Sequence, residues 1–263
     1  MASETWNDLC VKHEYTSGNY QSVCVILAFT KDYMPGAIAL VKSLVKNTTK
    51  MVTFKVFHRG LDVRDRRKLS LCVKRNFSFF SGDDPALKRI SYAWWLQAFH
   101  HQFVYRYDYT LYIDVDIIVC KPLDELIQRF DQSSCKISGV NQKEPNRKKF
   151  KEQNKEHLIN TGWVLFKRSF FNTAEFVKLK ETIDKTPFVK NDQPFFRNFL
   201  NKEKINVLYA PYAYNANANH SHSHSYILHF VGDTKPWQKR IPGSKRSGAD
   251  KAAILWEKLV DKL

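Results

Sequence analysis

Two aspartates separated by one valine are the residues whose types and spacing most directly suggest chemistry. Asp114 and Asp116 lie inside the run Thr110–Pro122, whose other residues are mostly apolar. If the chain is extended there, both side chains project to the same side, because side chains alternate along a strand. Two carboxylates so close together are costly to bury unless a cation or a donor neutralises them. The pattern predicts a divalent metal at the end of a strand, with coordination positions left open for a phosphate.

A structural role for the same pair is the alternative, in which one aspartate caps a turn and the other is solvated. A second motif, His229-Phe-Val-Gly232-Asp-Thr-Lys235-Pro-Trp237, favours the metal. Its imidazole can bind the cation, its glycine lets backbone approach a ligand closely, and its lysine can neutralise phosphate. His229 alone would be interpreted as structural, since a neutral imidazole in an apolar strand usually has one backbone partner. The two motifs together suit a metal–diphosphate.

Strands and helices alternate along the first part of the chain. The predicted elements are, in order, the strand Ser22–Phe29, the loop Thr30–Pro35, the helix Gly36–Lys46, the strand Val52–Phe57 and the helix Arg64–Cys72. This order indicates an α/β fold with a mostly parallel, Rossmann-like central sheet and helices on both faces. Ligands of such sheets bind beyond the carboxyl ends of the strands, where Thr30–Tyr33 and Asp114–Asp116 both fall. We therefore expect one shared cleft.

Further elements complete a single domain. Strands are predicted at Leu111–Ile113, Ile117–Cys120, Ile159–Phe166, Asn206–Ala210 and Tyr226–Val231, and helices at Ser91–Val104, Leu123–Phe130, Ala174–Asp184, Asn191–Leu200 and Ala249–Leu263. The aromatic residues of Ser91–Val104 favour a core helix over base or sugar stacking. Gln142–His157 is polar and predicts a mobile loop that acts as a lid. We divide the chain into an N-terminal extension (1–21), the main domain (22–238), and a basic linker with an amphipathic C-terminal helix (239–263).

Composition narrows the classes of function. The net charge of +16 comes from 42 Lys and Arg against 26 Asp and Glu, and it attracts polyanions, anionic lipid or phosphorylated substrates. A basic nucleic-acid-binding protein without catalysis is the alternative function, although the basic clusters do not interleave with aromatic residues as stacking platforms do. The N-terminus has no apolar segment typical of a signal peptide, and no run could span a membrane. We expect a cytoplasmic protein, with peripheral association at the cytosolic face of a membrane left open.

The motifs together resemble glycosyltransferase family 8, which includes glycogenin and bacterial lipopolysaccharide galactosyltransferases. Five matches occur in family order: Thr30 and Tyr33 before Gly36-Ala37, Asp114-Val115-Asp116, Asn160-Thr161-Gly162, Asp192-Gln193, and His229–Trp237. The resemblance covers roughly residues 22–237. It implies a GT-A fold, a Mn²⁺-dependent UDP-hexose donor and transfer with retention of anomeric configuration. The implied acceptor is a carbohydrate, glycolipid or protein, without specific nucleic-acid binding.

The resemblance also implies a role for each matching residue. Asp114, Asp116 and His229 are the implied metal ligands, and this mixed oxygen and imidazole set favours manganese over magnesium, which stays the alternative. The implied nucleotide-sugar contacts are Ala28, Thr30 and Tyr33 at the uridine, the backbone at Val115 near the ribose, Gly232 and Lys235 at the diphosphate, and Asn160, Thr161 and Gly162 around the sugar. Asp192 and Gln193 resemble the catalytic pair beside the donor sugar.

One position departs from the family pattern. The helix before the Asp-x-Asp strand usually offers an Arg or Lys toward the donor, whereas this sequence has Trp94, Trp95 and Gln97, with Lys88 and Arg89 upstream. Either the basic residue comes from elsewhere in the chain, or the choice of donor differs from the common hexoses.

Overall fold

The computed structural model describes residues 21–82, 94–141, 157–186, 191–218, 224–232, 235–238 and 247–263. The strands are β1 (Ser22–Thr30), β2 (Met51–Arg59), β3 (Asn76–Ser81), β4 (Tyr109–Ile113), β5 (Ile117–Val119), β6 (Ile137–Asn141), β7 (Ile159–Lys167), β8 (Val207–Ala210), β9 (Ala216–Asn217) and β10 (Ile227–His229). The α-helices are α1 (Met34–Lys46), α2 (Val63–Leu71), α3 (Asp124–Gln132), α4 (Ala174–Lys185), α5 (Asp192–Lys202) and α6 (Ser247–Val260).

Seven strands form one mixed sheet in the order β3–β2–β1–β4–β7–β6–β8. Its pairs are parallel except where β7 lies between β4 and β6, to both of which it is antiparallel. The residues Val23–Leu27 of β1 are buried, because helices and loops cover both faces of the sheet. Such double burial explains the unbroken apolar run in the sequence. The predicted mostly parallel α/β architecture is confirmed.

The aspartate segment differs from the single extended run that the sequence predicts. β4 ends at Ile113 in the large sheet, whereas β5 begins at Ile117 in a second sheet of order β5–β10–β9. Asp114–Asp116 is therefore the turn between two sheets, and the prediction that both aspartates project from one extended strand was wrong. The turn is fixed by backbone bonds: Asp114 N donates to Gly162 O at 2.7 Å, and Phe230 N donates to Asp116 O at 2.8 Å.

Other elements also depart from the sequence-based boundaries. The predicted core helix at Ser91–Val104 is, over its described part, two 3₁₀ helices, Trp94–His100 and Gln102–Tyr105, interrupted by extended backbone at His101. Its core role is confirmed, since Trp95, Leu96 and Phe99 are buried. The predicted loop Thr30–Pro35 contains a 3₁₀ helix, Lys31–Tyr33, and the start of α1. Strands β3 and β6 were not predicted, and the proposed lid falls outside the described residues except at His157.

The C-terminal helix α6 packs on the small sheet. The Trp256 ring meets Phe230 edge to face at 5.1 Å and lies 4.8 Å from the Trp237 ring, measured between centroids. Ala252 and Trp256 of α6 are buried in this contact, as is Phe230 on the side of the sheet. Within the described ranges, no helix combines the length and the apolar character that crossing a bilayer requires.

Candidate active site

Three side chains that are far apart in sequence converge beside the turn between the two sheets. His229 pairs with Ile117 across β10 and β5, which places its imidazole next to the aspartates. Its Nε2 lies 3.2 Å from Asp116 Oδ1 and 3.7 Å from Asp114 Oδ2. One ligand atom from each of the three residues lies within 4.8 Å of the others. The structure therefore brings together the three side chains that the sequence predicts as metal ligands, in a group that could hold a metal ion.

Each aspartate uses one oxygen for a fixed partner and turns the other toward His229. Tyr112 donates its hydroxyl to Asp114 Oδ1, and Lys235 Nζ donates to Asp116 Oδ2 at 2.6 Å. The oxygens that remain, Asp114 Oδ2 and Asp116 Oδ1, are the two that face the imidazole. Partners of this kind orient ligands and set their basicity in metal sites.

The tautomer of His229 follows from a chain of hydrogen bonds that begins at a backbone amide. Gly162 N donates to Asn160 Oδ1 at 2.8 Å, so this oxygen must also be the atom that accepts from Asn215 Nδ2 at 2.9 Å. Asn215 Oδ1 is then left to accept from His229 Nδ1 at 3.0 Å. A neutral imidazole protonated on Nδ1 presents the lone pair of Nε2, which is the nitrogen facing both aspartates.

Removing this relay is expected to weaken metal binding without a matching effect on folding. Asn215→Leu leaves His229 Nδ1 without its acceptor, and we expect an affinity for Mn²⁺ about 10-fold lower, the usual size of such losses. The measurement is titration of the free Mn²⁺ signal by electron paramagnetic resonance. Asn47→Leu is the matched control, since Asn47 bridges Ser43 O and Val119 O, both at 3.0 Å. Equal Mn²⁺ affinities in the two variants would contradict the relay.

The charges of Asp114, Asp116 and His229 are strongly interdependent. Burial and the neighbouring Asp116 raise the pKa of Asp114 above the ordinary value. Burial also opposes ionisation of Asp116, but attraction by His229 and Lys235 outweighs it and lowers the pKa of that carboxyl. Burial opposes protonation of His229 as well, yet the aspartates overcome it and raise the pKa of the imidazole. A divalent cation would relieve the repulsion between the carboxylates.

The predicted catalytic pair lies at the start of α5. Asp192 Oδ2 accepts a hydrogen bond from Trp95 Nε1 at 2.8 Å, and burial raises the pKa of its carboxyl. Gln193 Oε1 accepts from Thr161 N at 3.2 Å, which joins this helix to the Asn160–Gly162 segment. At the position where this sequence lacks the basic residue of the family, Trp95 therefore donates an indole N–H to Asp192. The ammonium group beside the aspartates belongs to Lys235, which donates to Asp116.

A bulge lies at the Asn160–Gly162 segment, which contacts His229 and Gln193. On β6, Val140 pairs with Asn160 while the adjacent Gly139 pairs with Val164, so the residues between them on β7 bulge away from β6. Bulges of this kind commonly re-aim side chains beside active sites. The segment was predicted as a turn leading into a strand, and the structure places it inside β7.

The predicted nucleotide edge lies against the segment that carries Lys235. Ala28 and Thr30 occupy the carboxyl end of β1, and the Tyr33 ring lies 5.9 Å from Lys235 Nζ. Trp237 Nε1 donates to Asp32 O at 3.1 Å.

Two glycines of the predicted motifs have conformational reasons. A Cβ on Gly36 would lie 2.5 Å from Val115 O, so glycine is required for this close approach. Gly232 adopts a φ of +113°, which favours glycine.

Three residues of the site were not predicted from the sequence: Tyr112, Trp95 and Asn215. Tyr112 carried a usable signal, since it stands two residues before Asp114 and side chains alternate along β4. Trp95 was assigned to the core and named at the position where the family offers a basic residue, without a bond to Asp192 being predicted, and no pattern marked Asn215. The roles of Trp95 and Asn215 depend on Asp192 and His229, which are distant from them in sequence.

Comparison with known proteins identifies the family. The family model described as glycosyl transferase family 8 matches residues 24–240. The chain belongs to glycosyl transferase family 8. No curated protein sequence matches the chain.

Solved structures share the fold of this family 8 protein. The galactosyltransferase LgtC, in complex with donor and acceptor sugar analogues, is 18% identical with a TM-score of 0.60, over 91% of this chain and 96% of that chain. The bifunctional glycosyltransferase WbbM is 16% identical with a TM-score of 0.64, over 94% and 52%. Mouse xyloside xylosyltransferase 1 is 12% identical with a TM-score of 0.55, over 79% and 97%. These likenesses agree with the GT-A architecture predicted from the sequence.

Proposed function

We propose that the protein is a metal-dependent, retaining glycosyltransferase that moves a hexose from a UDP-sugar to a hydroxyl of a glycan, glycolipid or protein. The observation that carries the proposal is the convergence of Asp114, Asp116 and His229 beside the ammonium of Lys235. Membership of a glycosyltransferase family supports the reaction class. The cytoplasmic location and the peripheral association with anionic membrane stay predictions.

The donor set suits manganese, with magnesium as the alternative. The ion would be held by Asp114 Oδ2, Asp116 Oδ1 and His229 Nε2, which lie close to one another. The second oxygen or nitrogen of each of these side chains is already hydrogen-bonded, to Tyr112, Lys235 and Asn215 respectively. Two carboxylate oxygens and one imidazole nitrogen form a set that manganese accepts more readily than magnesium, whose preferred ligands are all oxygens. When bound, the cation supplies positive charge to the diphosphate of the donor.

Side chains of this protein would assist departure of the diphosphate. The Lys235 ammonium is a point charge that neutralises negative charge on phosphate oxygens. To reach them it must loosen its present bonds to Asp116 Oδ2 and to Phe230 O, which measure 2.6 and 3.2 Å. Gly232, Tyr33 and the backbone at Val115 would contact the nucleotide, as the family resemblance implies.

Retention follows if the acceptor attacks the face from which the diphosphate leaves. The bond from the acceptor oxygen to the anomeric carbon forms as the bond to the phosphate oxygen breaks, and the hydroxyl proton passes to that phosphate oxygen. Gln193 is a poor nucleophile, so we assign it and Asp192 to stabilising positive charge at the anomeric carbon. Asn160, Thr161 and Gly162 would line the sugar pocket.

A panel of sugar nucleotides tests the function without knowledge of the acceptor. We expect UDP-hexoses with Mn²⁺ to raise the melting temperature, since binding adds RT ln(1 + [L]/Kd) to stability, and to be slowly hydrolysed. UDP without Mn²⁺ should stabilise less, and chelation of the metal should stop hydrolysis. If no sugar nucleotide stabilises the protein in the presence of Mn²⁺, the proposal is wrong.

A further inference from the structure

Two buried aromatic side chains link the carboxylates of the site. The rings of Trp95 and Tyr112 stack with centroids 4.4 Å apart and an angle of 13° between their planes. Trp95 is 0% exposed and Tyr112 is 5% exposed. The first belongs to a 3₁₀ helix and the second to β4, so the stack joins two segments distant in sequence.

Each ring directs its polar atom to a different carboxylate. Trp95 Nε1 donates to Asp192 Oδ2 at 2.8 Å, and the Tyr112 hydroxyl donates to Asp114 Oδ1. The Tyr112 bond occupies the oxygen of Asp114 that does not face His229.

Neighbouring rings fix the stack in place. Trp95 meets Phe99 edge to face at 5.6 Å and Phe196 edge to face at 5.7 Å. Phe196 lies one helical turn after Asp192 on α5, so the helix that carries this carboxylate also holds the indole. Moving the indole would therefore disturb both Asp192 and, through the stack, Tyr112.

We propose that Trp95 and Tyr112 act as one positioning unit, whose stacked rings hold Asp192 and Asp114 in a fixed relative arrangement. The proposal rests on the proposed function, since it takes Asp114 as a metal ligand and Asp192 as the carboxylate beside the donor sugar. Both rings are buried and each donates to one carboxylate, so each acts through the carboxylate that it holds. A role in packing alone would need no N–H or O–H at these positions, because phenylalanine provides a similar apolar ring.

Variants that separate ring from polar atom test the unit. Tyr112→Phe keeps the stack and loses the bond to Asp114, and we expect Mn²⁺ affinity to fall about 10-fold. Trp95→Phe keeps a ring and loses the bond to Asp192. We therefore expect kcat for hydrolysis of the UDP-hexose to fall about 10-fold, with Mn²⁺ affinity unchanged. Trp95→Leu removes the stacking partner, and both quantities should fall although Trp95 contacts no metal ligand. Mn²⁺ affinity is measured without substrate, by the free-ion resonance signal.

Phe170→Leu is the matched control, because Phe170 is buried in the same apolar cluster as Trp95 and its ring packs edge to face on Phe171 and Phe176. It should lower the melting temperature while leaving Mn²⁺ affinity and kcat unchanged. If Trp95→Leu and Tyr112→Phe match Phe170→Leu in Mn²⁺ affinity and kcat, the rings only pack and the unit is overturned. Wild-type protein that binds neither Mn²⁺ nor sugar nucleotide would overturn the proposed function itself, and the unit with it.

Discussion

Asp114→Asn is expected to lower Mn²⁺ affinity by more than about 100-fold while making the metal-free protein more stable. Removing a residue that only hydrogen-bonds to a metal ligand typically lowers metal affinity about 10–100-fold, so removing the ligand itself should lower it more. The gain in stability arises because burial and repulsion from Asp116 raise the pKa of Asp114, so its ionised form is unfavourable in the folded state. The side chain remains 35% exposed, which limits the gain to about 1 kcal/mol, or about 2–4 °C in melting temperature.

The pH dependence of this gain has a definite sign. Below about pH 3 an aspartic acid is largely neutral in the unfolded chain as well, so the variant and the wild type should melt alike. The difference grows as the pH rises toward the raised pKa of folded Asp114, and it is complete above that pKa. Thermal melts of metal-free protein between pH 4 and 8 measure it. An Asp114→Asn variant that melts below the wild type at pH 8 would contradict the assignment.

Asp116→Asn is the matched comparison, since it should also abolish metal binding but destabilise the protein. Asp116 and Lys235 are buried, with side chains 10% and 7% exposed. Removing one charge of a buried pair costs about 3–5 kcal/mol. Because the pKa of Asp116 is lowered in the folded protein, the stability it contributes is complete at neutral pH and is lost in acid. The two variants therefore separate loss of metal binding from loss of folding.

The composition and order of apolar runs predict the large sheet well. β1 is recognisable because both of its faces are covered, which demands apolar residues throughout. In β2 the buried Val52, Phe54 and Val56 alternate with half-buried Thr53 and Lys55, a pattern typical of a strand with one covered face. β6 escaped prediction because Ser138 and Gly139 interrupt its apolar pattern. Ser138 Oγ donates to Leu208 O at 2.9 Å, and a Cβ on Gly139 would lie 2.5 Å from Ile159 Cδ1. The choice of serine and glycine at these positions depends on residues of other strands, Leu208 and Ile159, so the local sequence pattern does not reveal it.

The candidate site likewise contains residues that the local sequence predicts and residues whose role depends on contacts distant in sequence. Asp114, Asp116 and His229 could be nominated because carboxylates and an imidazole within apolar runs are costly without a partner. The path of the chain between the aspartates could not be predicted, since it depends on the pairing of β5 with β10 in a second sheet, apart from β4. Asn215 becomes part of the site only through that second sheet. The sequence therefore supplies the ligands, whereas the groups that orient them require the structure.

Gly162→Ala is expected to disable the site through a single methyl group. An added Cβ would lie 2.6 Å from His229 Cε1, 2.7 Å from His229 Nδ1 and 2.9 Å from Asn160 Oδ1. The imidazole is held by Asn215 and by the pairing of β10, and it is 6% exposed, so it must move to admit the methyl group. We expect Mn²⁺ affinity and transfer activity to fall by at least about 100-fold, because both the ligand and the relay behind it are displaced.

Gly139→Ala controls for the general cost of crowding a strand. Its Cβ would press on the end of the Ile159 side chain, which is apolar and lies in the core. We expect a lower melting temperature, because overpacking a core costs about 1–3 kcal/mol, but an unchanged affinity for Mn²⁺. If Gly162→Ala binds Mn²⁺ as the wild type does, His229 has room to tilt without loss of coordination, and its position is not set by the close approach of β7. If Gly162→Ala loses Mn²⁺ binding and Gly139→Ala keeps it, the absence of a side chain at Gly162 provides the space that His229 needs beside the aspartates.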